Sequence, residues 1–230
     1  AKATGVPLAK VATRVMLGAT LAQLREEGLL RAPVPGSHVS VKEAVLPFNR
    51  FPEVDTALGP EMRSTGEVMG IDSNFGRAFH KAETASGTTL PESGTVFLSL
   101  NDADKPAGLV VAKRFKELGL RIAATYGTAE YLARFGVMVD EQVAKIHEGK
   151  RSAADATAVD LIEAGRITFV VNTPRGSGPR SDGTAIRIAA NVNRVSSVTT
   201  IDAALAAAEG LAEVARTAMS VRSLQEYHAR

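Results

Sequence analysis

The sequence contains no cysteine, and that absence excludes two kinds of architecture. Neither a disulfide-stapled scaffold nor a cysteine-based zinc site can form without thiols. Long apolar runs are also missing, since no stretch approaches the roughly 20 apolar residues that a membrane-spanning helix needs. A secretory signal pattern is absent as well. We therefore expect a cytoplasmic protein without a membrane partner.

An excess of charge of one sign is lacking too. Lys and Arg number 27 against 25 for Asp and Glu, so the formal net charge is only +2. Nucleic-acid binding usually needs a concentrated basic face, and we expect no nucleic-acid partner. Walker A, GxGxxG and GxSxG motifs are absent. The four histidines lack the spacing of a metal site: His38, His80, His147 and His228. The sequence thus offers no catalytic residue and no metal site.

The two halves of the chain differ in pattern. Residues 1–90 are irregular, with a helix-like PLAKVATRVMLG, a strand-like VSVKEAVLPF and a helix-like NFGRAFHKAE. The stretch SGTTLPESG has the composition of a linker, and a regular pattern runs from residue 93 to 230. The chain enters helix-like sequence directly without an initiator methionine, which leads us to expect a piece of a longer protein.

The second half alternates short apolar segments with amphipathic ones. TVFLSL, RIAAT and ITFVVNT read as buried strands, and VMVDEQV is a weaker strand candidate. KPAGLVVAKRFKELG, TAEYLARFG and SAADATAVDLIEAG read as helices, the last with Ser152 as N-cap candidate and Gly165 as its stop. Strands alternating with helices of about 10–15 residues predict βαβ units and a parallel sheet covered by helices on both faces.

Polar side chains cluster where the predicted strands end. Thr125 and Thr128 flank a glycine after RIAAT, and Asn172 and Thr173 end ITFVVNT. Ligands of open α/β sheets bind beyond the carboxyl ends of the strands, and helix N-termini attract anions, so we expect a phosphate-binding face there. Two lysines are available to it, Lys105 and Lys145.

Plainer interpretations of these residues stay open. Thr128 is equally suited to be a helix N-cap, the two lysines to be solvated surface residues, and Asn172 to be an ordinary strand-ending residue. The glycine-rich PRGSGPRSDG is either a lid or a plain surface loop.

Several phrases, in this order, resemble the large subunit of carbamoyl-phosphate synthetase: TGVPLAKVATRVMLG, SVKEAVLPFNRFPEVD, LGPEMRSTGEVMGI, ATYGTAEYL, KIHEG and VVNTP. The resemblance covers essentially the whole chain and points to the C-terminal portion of that subunit. It implies an α/β fold in which residues 1–90 are the C-terminal remnant of the carbamate-phosphorylating ATP-grasp unit, an α+β segment. Residues 93–230 would form a Rossmann-like, methylglyoxal-synthase-like allosteric domain.

The resemblance also implies an effector site for a nucleotide monophosphate, UMP or IMP. Thr125, Thr128 and Lys145 would hold the phosphate, while Lys105 and Asn172 would sit toward the ribose and base. Thr173 follows, but Pro174 stands where some family members carry another hydroxyl, which puts the base or sugar preference in doubt.

Ornithine activates some family members, and the matching positions are Glu43 and Thr199. The other ornithine ligands would lie upstream of this chain, so we expect ornithine to bind weakly or not at all. For Glu43, a solvated strand residue is an equally good interpretation.

For the parent enzyme, the resemblance implies synthesis of carbamoyl phosphate from glutamine, bicarbonate and ATP for pyrimidine and arginine synthesis. ATP, Mg and K would be its cofactors, with a small glutaminase subunit and other large subunits as partners. The magnesium-binding carboxylates would lie upstream, so we expect this chain alone to be non-catalytic and to hold no cofactor.

Two alternatives remain. A methylglyoxal-synthase-like lyase would need a carboxylate base, for which Asp102, Asp104 and Asp140 are near predicted strand ends. A subunit-assembly module would use the alanine-rich helix IDAALAAAEGLAEVARTAM, which is apolar on more than one face.

Overall fold

The fold was analysed in a computed structural model that describes residues 1–32, 38–51, 53–144, 156–173 and 182–228. The first helices are α1 (Leu8–Met16) and α2 (Leu21–Glu26). Helix α2 begins where Thr20 and Gln23 form a reciprocal capping box, which satisfies two of the otherwise unpaired N–H groups at the helix start.

A two-stranded antiparallel sheet follows, backed by a helix. Strand β1 (Val39–Val45) pairs with β2 (Gly66–Asp72), and a short 3-10 helix (Pro47–Arg50) lies in the connection between them. Helix α3 (Phe75–Ser86) starts at an Asn74 N-cap and ends at Gly87 in the left-handed conformation. Because an isolated two-stranded sheet is marginal in water, its packing against α3 is what stabilises it.

The second half contains a five-stranded, fully parallel sheet. Its strands are β3 (Thr95–Ser99), β4 (Arg121–Thr125), β5 (Glu141–Val143), β6 (Phe169–Asn172) and β7 (Ser196–Val198). They lie in the order β5-β4-β3-β6-β7. The strands are therefore added on one side of β3 up to β5 and on its other side from β6 onward. Open α/β sheets usually bind ligands at such a switch point, which here lies between β3 and β6.

Helices cover both faces of this sheet. They are α4 (Lys105–Glu117), α5 (Tyr126–Arg134), α6 (Ala158–Glu163), α7 (Asp182–Val192) and α8 (Ile201–Arg216). The terminal helix α9 (Leu224–His228) lies instead beside β2, where the Tyr227 hydroxyl donates to the Ile71 carbonyl oxygen. Successive residues of β3 point to opposite faces, so Val96 and Leu98 join one core with α4, α5 and α8. Phe97 joins the other core with α6 and α7. The expected α/β class with a parallel sheet is confirmed.

The two halves of the chain meet at a close crossing of α3 and α8. A Cβ atom on Gly76 would lie 2.9 Å from the Glu209 carbonyl oxygen, and one on Gly210 would lie 3.2 Å from the Gly76 carbonyl oxygen. Only glycine allows the two backbones this approach. Arg77 of α3 also donates to the carbonyl oxygens of Thr217 and Ala218, just beyond α8.

The alanine-rich helix α8 packs within the molecule. Ala204, Ala207 and Ala208 are fully buried in the core that α8 shares with α4, and α3 covers another side of the helix. Its two apolar faces are thus explained by this sandwiched position rather than by a partner.

Three local expectations need adjustment. Helix α6 begins after a capping box between Thr157 and Asp160, and Ser152, the N-cap candidate, lies outside the described residues. The weak candidate VMVDEQV supplies only the three residues of β5. Strand β2 was not predicted, because the glycines at positions 66 and 70 weaken its pattern.

The fit of β2 against α3 yields a stability test. A Cβ atom on Gly70 would lie 1.9 Å from the Ala78 carbonyl oxygen and 2.6 Å from the Ala82 nitrogen, so Gly70→Ala must push the strand off the helix. We expect the free energy of unfolding, measured by urea denaturation, to fall by about 2 kcal/mol or more.

Gly66→Ala is the matched control, because it lies in the same strand and its Cβ would meet no atom within 4 Å. It should change the free energy of unfolding by no more than about 0.5 kcal/mol. Equal losses in the two variants would contradict the close-contact explanation.

Candidate functional site

Hydrogen bonds at the carboxyl end of the central strand β3 connect it to residues that follow both neighbouring strands. The Leu100 N–H donates to Thr128 Oγ1 at 3.2 Å, on the β4–α5 side. The Asn101 N–H donates to Thr173 Oγ1 at 2.9 Å, on the β6 side. Two consecutive backbone amides thus hold Thr128 and Thr173, which follow β4 and β6, at the same edge of the sheet. We call this place the carboxyl-edge site.

Thr125 and Thr128 lie at the start of α5. Thr125 is the N-cap residue, but its side chain makes no capping hydrogen bond. Its hydroxyl donates instead to Thr128 Oγ1 at 3.1 Å, and both side chains are buried. Thr128 is the third residue of the helix, so the interpretation of Thr128 as the N-cap is wrong.

The Lys105 ammonium group lies near the N-termini of α4 and α5. It is the first residue of α4, and a Cβ atom on Gly127 would lie 3.7 Å from its Nζ, so the ammonium group lies over the first turn of α5. The N-termini of both helices carry partial positive charge, which an ammonium group does not offset. Asp102 Oδ1 lies 2.8 Å from Nζ, but this carboxylate is 69% exposed while the lysine side chain is 16% exposed.

Asn172 and Thr173 complete the edge at the end of β6. The Thr173 hydroxyl also accepts from Asn101 Nδ2 at 3.2 Å, and the same amide nitrogen donates to Asp104 Oδ2 at 2.6 Å. Asn172 Oδ1 accepts from Arg187 of α7 at 2.5 Å. Among the described residues, the site is a row of hydroxyls and amides flanked by one lysine and by the carboxylates of Asp102 and Asp104.

Asn101 and Arg187 belong to this site but were not singled out from the sequence. Asn101 follows TVFLSL, so the same strand-end rule that found Asn172 applies to it. Arg187 lies inside a helix, where nothing in the local sequence marks it.

Several expected contributors cannot be placed. Lys145 and Pro174 lie outside the described residues, as does most of the glycine-rich loop PRGSGPRSDG. Their roles stay predictions.

The three candidate base carboxylates do not share one location. Asp102 and Asp104 lie at the carboxyl edge, paired with Lys105 and Asn101. Asp140 lies at the opposite edge, where its Oδ2 accepts from the Ile122 N–H at the start of β4. That hydrogen bond and the nearby Lys116 ammonium hold the pKa of Asp140 below its usual range despite partial burial, which acts the other way. Asp140 therefore cannot act on a ligand at the carboxyl edge.

Glu43 lies away from this site, half-buried on β1 opposite Val68. Thr199 is half-buried just after β7, and because Val198 of β7 pairs with Val171 of β6, it lies at the carboxyl edge beside Asn172. Among the residues that the structure describes, no hydrogen bond joins them. Glu43 does influence Glu83 of α3, which is buried: desolvation, with the Glu43 charge as a second cause, raises the pKa of Glu83 to about 7.

The described ranges hold no group of three or more His, Asp or Glu side chains arranged for a metal ion. Within the same ranges, every helix is too short or too polar to cross a bilayer.

Comparison with known proteins gives consistent matches. The MGS-like domain family matches residues 108–199. The carbamoyl phosphate synthase large chain of Mycobacterium tuberculosis is 48% identical over an alignment of 239 residues, covering 99% of this chain and 21% of that protein. The corresponding protein of Acidobacterium capsulatum is 49% identical over 230 residues, with 99% and 20% coverage. That of a Nostoc species is 46% identical over 226 residues, with 98% and 20% coverage. The chain spans about a fifth of the length of these relatives.

The raised pKa of Glu83 predicts a pH-dependent stability. A carboxyl group whose folded pKa lies above its ordinary value of 4.5 destabilises the fold once it ionises. This cost is absent below about pH 4.5, grows toward pH 7 and is complete above it. Glu83→Gln should therefore raise the free energy of unfolding at pH 8 by about 1–3 kcal/mol, a gain that fades by pH 5.

The measurement is chemical denaturation at pH 5 and pH 8, with Glu117→Gln as control. Glu117 is an exposed carboxylate at the end of α4, so its loss should leave both values nearly unchanged. A gain for Glu83→Gln that is equal at both pH values would contradict the assignment.

Proposed function

Because the chain is homologous over nearly its whole length to the C-terminal portion of the carbamoyl phosphate synthase large chain, we propose that it is the regulatory region of such an enzyme. In this proposal residues 93–230 bind a nucleotide monophosphate effector, UMP or IMP. Residues 1–90 are the end of an ATP-grasp unit and transmit the effect.

One observation carries the effector assignment: a lysine ammonium lies where two helix N-termini converge. Like charges there repel one another, and the exposed Asp102 together with Asp104, the N-cap residue of α4, offsets them only in part. A phosphate dianion supplies the missing negative charge and accepts hydrogen bonds from the backbone N–H groups of a helix start. The arrangement is therefore more stable with an anion bound than without one.

The remaining polar groups divide by position. The phosphate would lie at the start of α5, near Thr125, Thr128 and Lys105, with Lys145 as a further cation. The proximity of Lys105 to Gly127 supports a place near the phosphate for Lys105, in contrast to the ribose-and-base position that the resemblance implies. Asn172 and Thr173, on the far side of Asn101, would meet the sugar or the base.

The rest of the proposal concerns the longer parent protein. It would make carbamoyl phosphate from glutamine-derived ammonia, bicarbonate and ATP in the cytoplasm, with Mg and K and with a small glutaminase subunit and other large subunits as partners. This chain would contribute regulation and no catalytic residue. Glu43 and Thr199 would contribute to ornithine binding only together with residues from outside this chain.

A second candidate, subunit association, is favoured by exposed apolar side chains in the first half. Met16 and Leu17 at the end of α1 are 86% and 79% exposed, and Met62 is 85% exposed. Apolar groups clustered on one surface favour association. If this is the main role, sedimentation velocity should show a dimer or larger species that Met16→Lys dissociates and that nucleotide leaves unchanged. A monomer at all concentrations would remove this candidate.

The effector proposal is tested by calorimetric titration with UMP and with IMP. Lys105→Gln should weaken binding of the preferred nucleotide by about 10-fold to 100-fold, because a charge-assisted hydrogen bond to phosphate is lost. Lys113→Gln removes the same charge from an exposed position of the same helix and should bind as the wild-type chain does.

Thr125→Val is a third variant, which removes the hydroxyl but keeps the branched shape, and it should weaken binding as well. Thr128 is less suitable, because its hydroxyl also satisfies the Leu100 N–H. An absence of heat with both nucleotides, joined to unchanged NMR signals of Thr125 and Thr128, would reject effector binding.

A further inference from the structure

Arg187 is a buried cation whose contacts join three parts of the chain. Its side chain is 3% exposed and extends from α7. Nε and Nη2 donate to the two carboxylate oxygens of Asp55 at 2.6 and 2.7 Å, and Nη1 donates to Asn172 Oδ1 at 2.5 Å. Removing one partner of a buried ion pair leaves an uncompensated charge, so this guanidinium depends on its partners remaining in place.

The contact with Arg187 fixes the orientation of the Asn172 side chain. A guanidinium has only donors, so the group of Asn172 that faces it must be the carboxamide oxygen. The amide NH₂ is then the group that Asn172 can offer to a ligand. A ligand group that meets Asn172 must accordingly be an acceptor, such as a carbonyl oxygen or a hydroxyl oxygen.

Asp55 organises the segment on the other side of Arg187. The segment consists of residues 53–58 and belongs to the irregular connection that leads to β2. Asp55 Oδ1 accepts from the Ala57 N–H at 3.0 Å, and Oδ2 accepts from the Thr184 hydroxyl at 2.9 Å. Asn191 of α7 adds a neighbouring link, because its amide donates to the Phe48 carbonyl oxygen at 3.0 Å.

We propose that Arg187 is a positioning residue that couples ligand binding at Asn172 to the conformation of residues 53–58 through Asp55. This inference rests on the proposed function, since it takes the carboxyl-edge site to be the place where the nucleotide binds. In this proposal the segment is linked to the ligand through Asp55, the Arg187 guanidinium and Asn172.

The coupling works in both directions. A ligand acceptor on the Asn172 amide holds the carboxamide oxygen toward Arg187, which in turn holds the Asp55 carboxylate and the Ala57 amide. Conversely, a first half that holds Asp55 in this position orients Asn172 before the ligand arrives, so less ordering remains to be done on binding. Linkage requires both effects to have the same magnitude.

The first arm of the test measures nucleotide affinity by calorimetry. Asp55→Asn keeps the shape of the side chain but removes the charge that holds Arg187, and it should weaken binding by about 5-fold or more, a typical coupling factor. Glu53→Gln is the matched control, an exposed carboxylate in the same segment, and its affinity should equal that of the wild-type chain. Equal affinity of Asp55→Asn and wild type would overturn the proposal.

The second arm needs no nucleotide and measures hydrogen exchange of the amides of residues 53–58. Asn172→Ala should speed exchange of the Ala57 amide by about 5-fold or more, because Arg187 loses a partner and Asp55 is held less firmly. Asn193→Ala is the control outside the binding site, since the Asn193 amide donates to the Ala189 carbonyl oxygen and not to a group that holds Arg187. Unchanged exchange in Asn172→Ala would overturn the coupling.

The two arms separate the possible failures. A wild-type chain that binds neither nucleotide rejects the proposed function, while the exchange arm still decides whether Asn172 communicates with residues 53–58. If Asn172→Ala does not fold, Arg187→Lys replaces it, because a lysine keeps the charge but cannot reach both partners with a planar fork. That variant should show the same faster exchange of Ala57.

Discussion

The carboxyl-edge site depends on one constraint: the backbone N–H groups at the end of β3 must find acceptors after the sheet ladder stops. Strand β3 ends at Ser99, and the Thr128 and Thr173 hydroxyls accept from the Leu100 and Asn101 N–H groups in place of strand carbonyls. The same side chains that we assign to a ligand therefore also close the sheet. Because these side chains have both roles, residues at the ends of β3, β4 and β6 lie in one row. The site is therefore part of the fold.

Charged groups add an electrostatic contribution to the hydrogen bonds of this site. The hydroxyls and amides of the row are neutral, so the charge near it comes from the Lys105 ammonium over the start of α5 and from the Asp102 and Asp104 carboxylates. An exposed carboxylate such as Asp102 is a weak counter-charge, because water and salt screen it. A neutral ligand would gain little from such a place, whereas a phosphate gains from the lysine and the helix ends together. In the proposed effector site, the lysine would favour a phosphate over a neutral ligand, and the amides and hydroxyls would distinguish one nucleotide from another.

Local patterns predicted the second half of the chain well. TVFLSL, RIAAT and ITFVVNT form β3, β4 and β6. The rule that ligands meet strand ends singles out Thr125, Asn172 and Thr173 from the sequence, and these residues lie at one edge of the sheet. The failures have physical causes. Strand β2 exists because it pairs with β1 across a long connection, which a local window does not see. Asp55 and Arg187 are 132 residues apart, so neither position carries a signal for the other.

The crossing of α3 with α8 has a consequence for the order in which the molecule is made. Helix α3 and the two-stranded sheet that it supports are synthesised before α8. Gly210 of α8 lies more than a hundred residues after α3 in the chain. During synthesis, α3, β1 and β2 therefore lack the surface on which they pack, and the face around Gly76 and Phe79 is exposed. Contacts between such distant segments also slow folding, because a long loop must close before they form. Helix α8 is thus the element whose synthesis completes the packing of both halves of the chain.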